Sequence, residues 1–268
     1  MPSGDFGRDE FARFCKGINE LWHIDLASYG QRQLHRRLRA MMLRAGAADL
    51  GEFLRCLRSD AVLSESFRDQ FTINVSEFFR DAHLFERLQE MLRPGGTCHA
   101  ARRLWSAGCS YGAEPYSLAI LMDESNPAAD WRITATDIDR QALDKAREGI
   151  FTDRDLRNVS PVRRRRYFTP APPAGFAISE RLKQRISFSD LDLLDPHCRC
   201  PRDCDIILCR NVIIYFTTEA KQRVHEMLAK SLRPGGVLLV GATERVAEAA
   251  QLGLTCISPF FYQKPACH

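Results

Sequence analysis

Asp137 ends the alternating, β-branched segment Trp131–Thr136 and lies 25 residues past Gly112. In nucleotide-binding α/β sheets an acid at this place accepts hydrogen bonds from both ribose hydroxyls and repels a 2′-phosphate. Ahead of it, 103–122 reads as strand, Gly108-Cys-Ser-Tyr-Gly112 turn and helix. Such a turn lets a ligand approach the backbone, and the helix behind it presents free N–H groups. The spacing is not the dinucleotide G-x-G-x-x-G. Together the two features imply a nucleoside ligand with little phosphate. S-adenosylmethionine fits, with its ribose, adenine and cationic amino-acid end. The competing structural reading makes Asp137 a helix cap.

Other constellations offer further chemistry. Asn74, Ser76 and Arg80 place an amide, a hydroxyl and a guanidinium beside the pair Phe78-Phe79; the alternative is a helix start capped by Ser76. Arg210, Asn211 and Tyr215 follow the strand-like Asp205–Cys209, where ligands of open α/β sheets bind. Gly108–Gly112 also matches G-x-S-x-G, a hydrolase elbow with Ser110 as nucleophile and His197 or His225 to complete a triad. Against that stand the elbow's place after the first strand and the lack of an HGGG-like oxyanion loop. His197-Cys-Arg-Cys-Pro-Arg-Asp-Cys204 invites a zinc reading, but lacks paired knuckle spacing, so no metal is expected. Arg32, Arg36, Arg37, Arg39 and Arg44 come without an intervening acid, and Arg163–Arg166 form a second basic run. Both suggest faces for an acidic partner. Arg32, Arg36 and Arg39 can share one helix face.

The elements that position these residues fall into two kinds. Apolar stripes of helical period fill residues 1 to about 90: Phe11, Phe14, Ile18, Leu21; then Leu34, Leu38, Met41; then Leu50, Phe53, Leu57. Pro94-Gly95-Gly96 breaks the chain. Beyond it strands alternate with helices, implying a parallel sheet covered on both faces. A helix over 217–232 is predicted to stop at Pro234-Gly-Gly236, before a buried strand at Val237–Val240. The 268 residues are 45% apolar and 27% charged, a globular balance that leaves room for a sizeable core. A net charge of +4 does not argue for nucleic acid. With no apolar run long enough for a membrane span and no signal-like start, the chain is expected in the cytoplasm, not inserted in a membrane, with its ten cysteines as free thiols.

Five ordered segments carry a resemblance: NVSEFFRD at 74–81, WSAGCSYGAEPYSLAI at 105–120, ATDIDRQALDKAREGIF at 135–151, CRNVIIYF at 209–216 and LRPGGVLLVGATE at 232–244. From about residue 10 to 263 the sequence resembles the CheR family, the methyltransferases of chemotaxis receptors. The resemblance implies an α/β class I S-adenosylmethionine-dependent fold. Its seven-stranded Rossmann-like sheet would follow an all-helical N-terminal domain (1–90, receptor docking) and fill 91–268, with a β-subdomain inserted at about 165–184. It implies methylation of glutamate side chains on the cytoplasmic helical bundle of chemoreceptors, with S-adenosyl-L-homocysteine as product. It makes Arg80 and Tyr215 catalytic, and Asn74, Ser76, Arg80, Glu114, Asp137, Asp192, Leu193, Arg210 and Asn211 cofactor contacts. Arg32, Arg36, Arg37 and Arg39 become the docking face of a monomer. Several positions depart from the family pattern. Ser76 replaces a frequent Thr, Tyr111 and Ala113 replace Thr and Glu, Asp192 replaces Asn, and Gly241-Ala-Thr-Glu244 replaces G-H-S-E. In place of a glycine-rich loop the chain has Thr169-Pro-Ala-Pro-Pro-Ala-Gly175, which points to an enzyme needing no receptor C-terminal peptide. Non-catalytic adaptor and Ser110 esterase remain the alternatives.

Overall fold

The computed structural model describes residues 6–22, 24–71, 76–173 and 175–266, without the side chains of 32, 33 and 68–71. The chain forms two compact units. One comprises Met1–Ile73 together with Ile213–Arg223, the other Asn74–Val212 and Val224–His268.

The helical unit contains α1 (Arg8–Trp22), α2 (Gln31–Ala45), α3 (Leu50–Ser59) and α4 (Ala61–Phe71), with a 3-10 turn at Leu26–Ser28. The predicted stripes form its core: Phe14, Ile18, Leu34, Leu38, Leu50, Phe53 and Phe67 are all buried. Phe14 stacks on Phe53 with ring centroids 6.0 Å apart. α1 approaches α3 so closely that a Cβ on Gly17 would sit 2.3 Å from Leu54. Gly46, at φ 68°, ends α2 in the left-handed cap that glycine adopts without steric cost. The Asp49 carboxylate starts α3 by accepting from the Glu52 N–H at 2.7 Å.

The sheet unit holds β1 (Arg103–Ala107), β2 (Arg132–Asp137), β3 (Ile150–Phe151), β4 (Phe168–Pro170), β5 (Phe176–Ile178), β6 (Ile186–Asp190), β7 (Cys204–Cys209), β8 (Leu232–Val240), β9 (Thr255–Ser258) and β10 (Phe261–Gln263). Its helices are α5 (Ala82–Leu92), α6 (Ala113–Ser125), α7 (Arg140–Glu148), α8 (Pro161–Tyr167), α9 (Glu180–Lys183) and α10 (Thr218–Ser231), the last beginning in the helical unit. Seven strands pair in the order β6-β2-β1-β7-β8-β10-β9, parallel except for β10, which runs antiparallel to both neighbours. β1 and β7 are buried through their centres, as a sheet covered on both faces requires. The inserted sheet, β3-β5-β4, draws on residues from 150 to 178, beginning earlier than the sequence suggested.

Four expectations differ from the structure. The division falls at Ile73/Asn74 rather than near 90, because Phe78, Phe79, Leu84, Phe85 and Leu88 belong to the sheet unit's core. Pro234-Gly-Gly236 does not precede β8 but bulges within it: Leu232 pairs with Cys204, and pairing resumes at Ile206 and Val237. The bulge needs glycine, since a Cβ on Gly236 would lie 2.7 Å from the Cys204 carbonyl oxygen. Cys198 and Cys200 form a disulfide, their Cα atoms 5.6 Å apart and within bridging range. The run Arg163–Arg166 is largely spent inside the unit: Arg163 pairs with Glu124, Arg164 with Asp153 and Arg166 with Asp123. Only Arg165 of the four has no ion pair among the described residues, so this run is mainly internal bracing. No helix among the described residues is long and apolar enough to cross a membrane.

Candidate functional site

The site is built at the carboxyl ends of the parallel strands. Between β1 and α6 the chain makes its glycine turn, and the N–H groups of Gly108 and Cys109 both donate to the Thr136 carbonyl, at 2.8 and 2.9 Å. Gly108 lies at φ 81°, and a Cβ there would meet Val212 at 2.3 Å, so the turn excludes every other residue type. Ser110, itself at φ 49°, donates its N–H to Asp137 Oδ2 at 2.7 Å. Asp137 Oδ1 accepts from the Asp139 N–H at 2.9 Å. Both oxygens thus have backbone partners, the Ile138 N–H also bonding the carboxylate, and two carboxylate oxygens can accept more donors than these three. Burial pushes the Asp137 carboxyl above its ordinary value, against the pull of those backbone bonds. The helix-cap alternative fails, because Asp139 caps α7, accepting from Gln141 and Ala142 at 2.9 and 3.1 Å.

A buried charge network lies beside this turn. Glu114 accepts from Ser106 Oγ at 2.8 Å and from Arg210 Nη1 at 3.3 Å. Burial raises its carboxyl, while the Arg210 charge and the Ser106 bond oppose the rise. Arg210 Nη2 donates to the Arg80 carbonyl at 2.7 Å and to Asp81 Oδ2 at 2.8 Å. The guanidinium also faces the Phe85 ring at 5.1 Å. With its side chain 1% exposed, Arg210 ties the end of β7 to the Arg80–Asp81 segment. That segment is an irregular turn that leads into α5, with Asp81 rather than Ser76 at the N-cap position. Phe79 and Asp81 have positive φ, and the buried Phe79 N–H donates to Ser117 Oγ at 2.9 Å. Next to Arg210, Asn211 adopts φ 59° and donates its N–H to Glu244 Oε2 at 2.8 Å, where Gly241 also donates at 2.7 Å. Asn211 Oδ1 is buried with no hydrogen-bond partner among the described residues. An orphaned buried acceptor at a strand end is a place for a ligand's donor.

The structure brings Ser76, Arg80, Glu114, Asp137, Arg210 and Asn211 into one connected region. Ser76 and Arg80 line a cavity of about 670 Å³ with Tyr111, Lys145 and Arg154. Tyr111 shares its hydroxyl between the Ser76 carbonyl and Asp155, and burial raises its pKa so that it stays a donor. Asp192 and Leu193 follow β6, whose Asp190 pairs with Asp137. The Asp192 carboxylate accepts from the Leu194 N–H at 2.8 Å, which shapes this loop. Asn74 lies outside the described residues, as does the Arg32 side chain. Tyr215 belongs to the helical unit, together with α2. On α2, Arg36 is exposed, Arg37 covers the Tyr215 ring at 5.2 Å and Arg39 covers Phe6 at 5.2 Å. Sequence reasoning missed Asp81, Tyr111 and Glu244. Glu244 had a signal: it follows a buried strand, as Asp137 does. Burial raises the Cys109 and Cys209 thiols well above their ordinary value, which disfavours the thiolate form. Among the described residues no three metal-ligating side chains come together.

The polar groups fit S-adenosylmethionine: a carboxylate with free lone pairs for a ribose, and a buried orphan acceptor for an ammonium. Comparison with known proteins agrees. Residues 74–258 match the family described as CheR methyltransferase, SAM binding domain, and residues 9–72 match CheR methyltransferase, all-alpha domain. A chemotaxis protein methyltransferase of Listeria monocytogenes is 34% identical over 257 residues, covering 95% of this chain and 97% of that protein. Chemotaxis protein methyltransferase 2 of Pseudomonas aeruginosa is 32% identical, covering 96% and 98%. The Escherichia coli chemotaxis protein methyltransferase is 33% identical, covering 87% and 83%. These matches replace the esterase and adaptor alternatives, and the Ser110 backbone is engaged in holding Asp137. An all-helical unit, a sheet with a small inserted sheet and relatives matched along nearly their whole length lead to one assignment: the chain belongs to the CheR methyltransferase family and is an S-adenosylmethionine-dependent methyltransferase.

Proposed function

We propose that the connected region at the strand ends holds S-adenosyl-L-methionine and that Arg80 and Tyr215 serve methyl transfer to glutamate side chains of chemoreceptors. The bound cofactor supplies a methyl group on a sulfonium and leaves as S-adenosyl-L-homocysteine. A glutamate carboxylate, with a reference pKa of about 4.3, is already a nucleophile at neutral pH, so no general base is required. When bound, the cofactor would supply the methyl group to one carboxylate oxygen, and no side chain of the protein need take a proton. The protein's work is alignment and the exclusion of water. Asp137 accepts the ribose hydroxyls, Asn211 Oδ1 accepts from the amino-acid end, and Asn74, Ser76, Glu114, Asp192 and Leu193 complete the pocket. Arg80 pairs with the substrate carboxylate in a charge-assisted bond, and Tyr215 shapes the reacting centre.

The observation that carries this reading is the bond from buried Arg210 to the Arg80 carbonyl. It fixes the backbone of Arg80, whose side chain lines the cavity, while the Arg210 guanidinium binds Glu114 and Asp81. Arg210 is therefore a positioning residue. Docking uses the exposed stripe of α2, where Arg36, Ala40, Leu43 and Arg44 lie at helical steps, against the acidic helical bundle of the receptor. The test is Arg80→Ala with a receptor cytoplasmic fragment. Turnover falls at least about tenfold, the cost of one charge-assisted bond, while S-adenosylhomocysteine still binds by calorimetry. Unchanged turnover refutes the role.

A further inference from the structure

The helical unit contains a segment that its own sequence does not supply. Ile213–Arg223 joins it, bringing Tyr215. The backbone around Tyr215 is pinned there twice: the Gly30 N–H donates to the Tyr215 carbonyl at 2.7 Å, and the Thr217 N–H donates to the Ser28 carbonyl at 2.8 Å. Tyr29 and Phe216 form a β-bridge, and their rings meet edge to face at 5.1 Å. Gly30 is also the N-cap of α2, so the first turn of the docking helix and the tyrosine backbone share an anchor. The remaining freedom of Tyr215 is its side-chain torsions. One α2 side chain addresses them: the Arg37 guanidinium lies over the ring, 5.2 Å from its centroid, within cation–π range. Its sequence neighbour Arg36 is exposed. Adjacent arginines on one helix thus have different work.

We infer that Arg37 is a positioning residue that holds the Tyr215 ring for methyl transfer, rather than a contact for the receptor. The inference rests on the reading of Tyr215 as a reacting-centre residue. It makes the docking helix part of the catalytic framework: α2 presents Arg36 outward and sets the tyrosine with Arg37. A ring–cation contact of this kind corresponds to an effect of about two- to thirtyfold.

The experiment uses the full chain with 3-fluorotyrosine at its six tyrosines, and Tyr215 assigned through Tyr215→Phe. Arg37→Met is expected to shift the Tyr215 fluorine resonance and to lower kcat several-fold at saturating receptor fragment, with little change in KM. Arg37→Lys, which keeps a cation over the ring, restores most of kcat. Arg36→Met instead raises KM and leaves the resonance in place. In a Tyr215→Ala background, Arg37→Met causes no further loss. A resonance that does not move overturns the contact. A moved resonance with kcat intact, or a loss expressed wholly in KM, overturns the positioning role. If Tyr215→Ala itself keeps full kcat, the reading of Tyr215 fails, and the fluorine shift still reports separately on the contact.

Discussion

Replacing Asp137 by Asn tests the nucleoside pocket most directly. The two carboxylate oxygens accept from Ser110 at 2.7 Å and from Asp139 at 2.9 Å. Whichever position the new amide NH2 takes, it faces a backbone N–H, and that bond is lost. A hydrogen bond to a charged acceptor contributes about 1.5–3 kcal/mol. Burial raises the folded carboxyl pKa above its ordinary 3.8. For an acid so shifted, the stabilising contribution is full below the unfolded pKa and is lost as pH rises through the folded one. At neutral pH the charge is therefore a cost that Asn removes, offsetting part of the lost bond. The net stability loss is expected to be small, on the order of 1 kcal/mol. Binding has no such offset. Losing the charged acceptor for one ribose hydroxyl costs about 1.5–3 kcal/mol, or roughly 10- to 140-fold in Kd. Calorimetric titration of S-adenosylhomocysteine into parent and variant reads this, with thermal melts to confirm the fold. A Kd within about threefold of the parent, in a variant that melts cooperatively near the parent's Tm, refutes the assignment of Asp137 to the ribose.

Charge reversal at exposed Arg36 (Arg36→Glu) should raise KM for a receptor fragment, more at low salt than at high salt; an equal effect at both would remove α2 electrostatics from docking. Asp123 is buried and takes bonds from Arg181 and Tyr167, with Arg166 beside it. Burial alone raises its carboxyl, but the Arg181 and Tyr167 bonds and the arginine charges hold it below its ordinary 3.8. Its contribution is thus present above the unfolded pKa and lost as pH falls through the folded one. Asp123→Asn should cost about 1–3 kcal/mol at pH 7 and flatten the acid limb of stability against pH, as read by urea melts; an unchanged acid limb counts against this hub. A receptor fragment lacking its C-terminal tail should be methylated as fast as one that keeps it, and a tail-dependent KM would reverse the peptide-independent reading of 169–175.

What the sequence disclosed depended on how local the physics was. Asp137 was legible because a strand end and a glycine turn fix its place by themselves. The helical stripes around Phe14, Leu38 and Phe53 were legible because period alone decides which side is buried. The unit boundary was not, since Phe78 and Phe85 choose their core by contacts far along the chain. Asp139 rather than Asp137 caps α7, a choice between two acids two residues apart that backbone geometry settles. Arg163–Arg166 looked like a docking face because their partners Glu124, Asp123 and Asp153 lie 11 to 43 residues away. Arg210 was legible as a strand-end residue of the site, but its bonds to the Arg80 carbonyl and Asp81 were not, since those partners lie 130 and 129 residues away. Tyr111 departs from the family's Thr, and only the fold shows that its hydroxyl reaches Ser76 and Asp155.

The excursion of 213–223 also bears on whether the two halves can be separated. The family descriptions divide the chain once, between 72 and 74. The compact units divide it three times, because the chain leaves β7, lends eleven residues to the helical unit and comes back within α10. Expressed from residue 74 onward, the sheet half would carry Ile213 and Phe216, both buried in the whole chain, without Ser28, Tyr29 and Gly30 to cover or bond that segment. The N-terminal half expressed alone would lack the strip that completes it. Neither half of the sequence therefore corresponds to a whole compact unit, and an exchange of N-terminal halves between relatives should carry 213–223 with it.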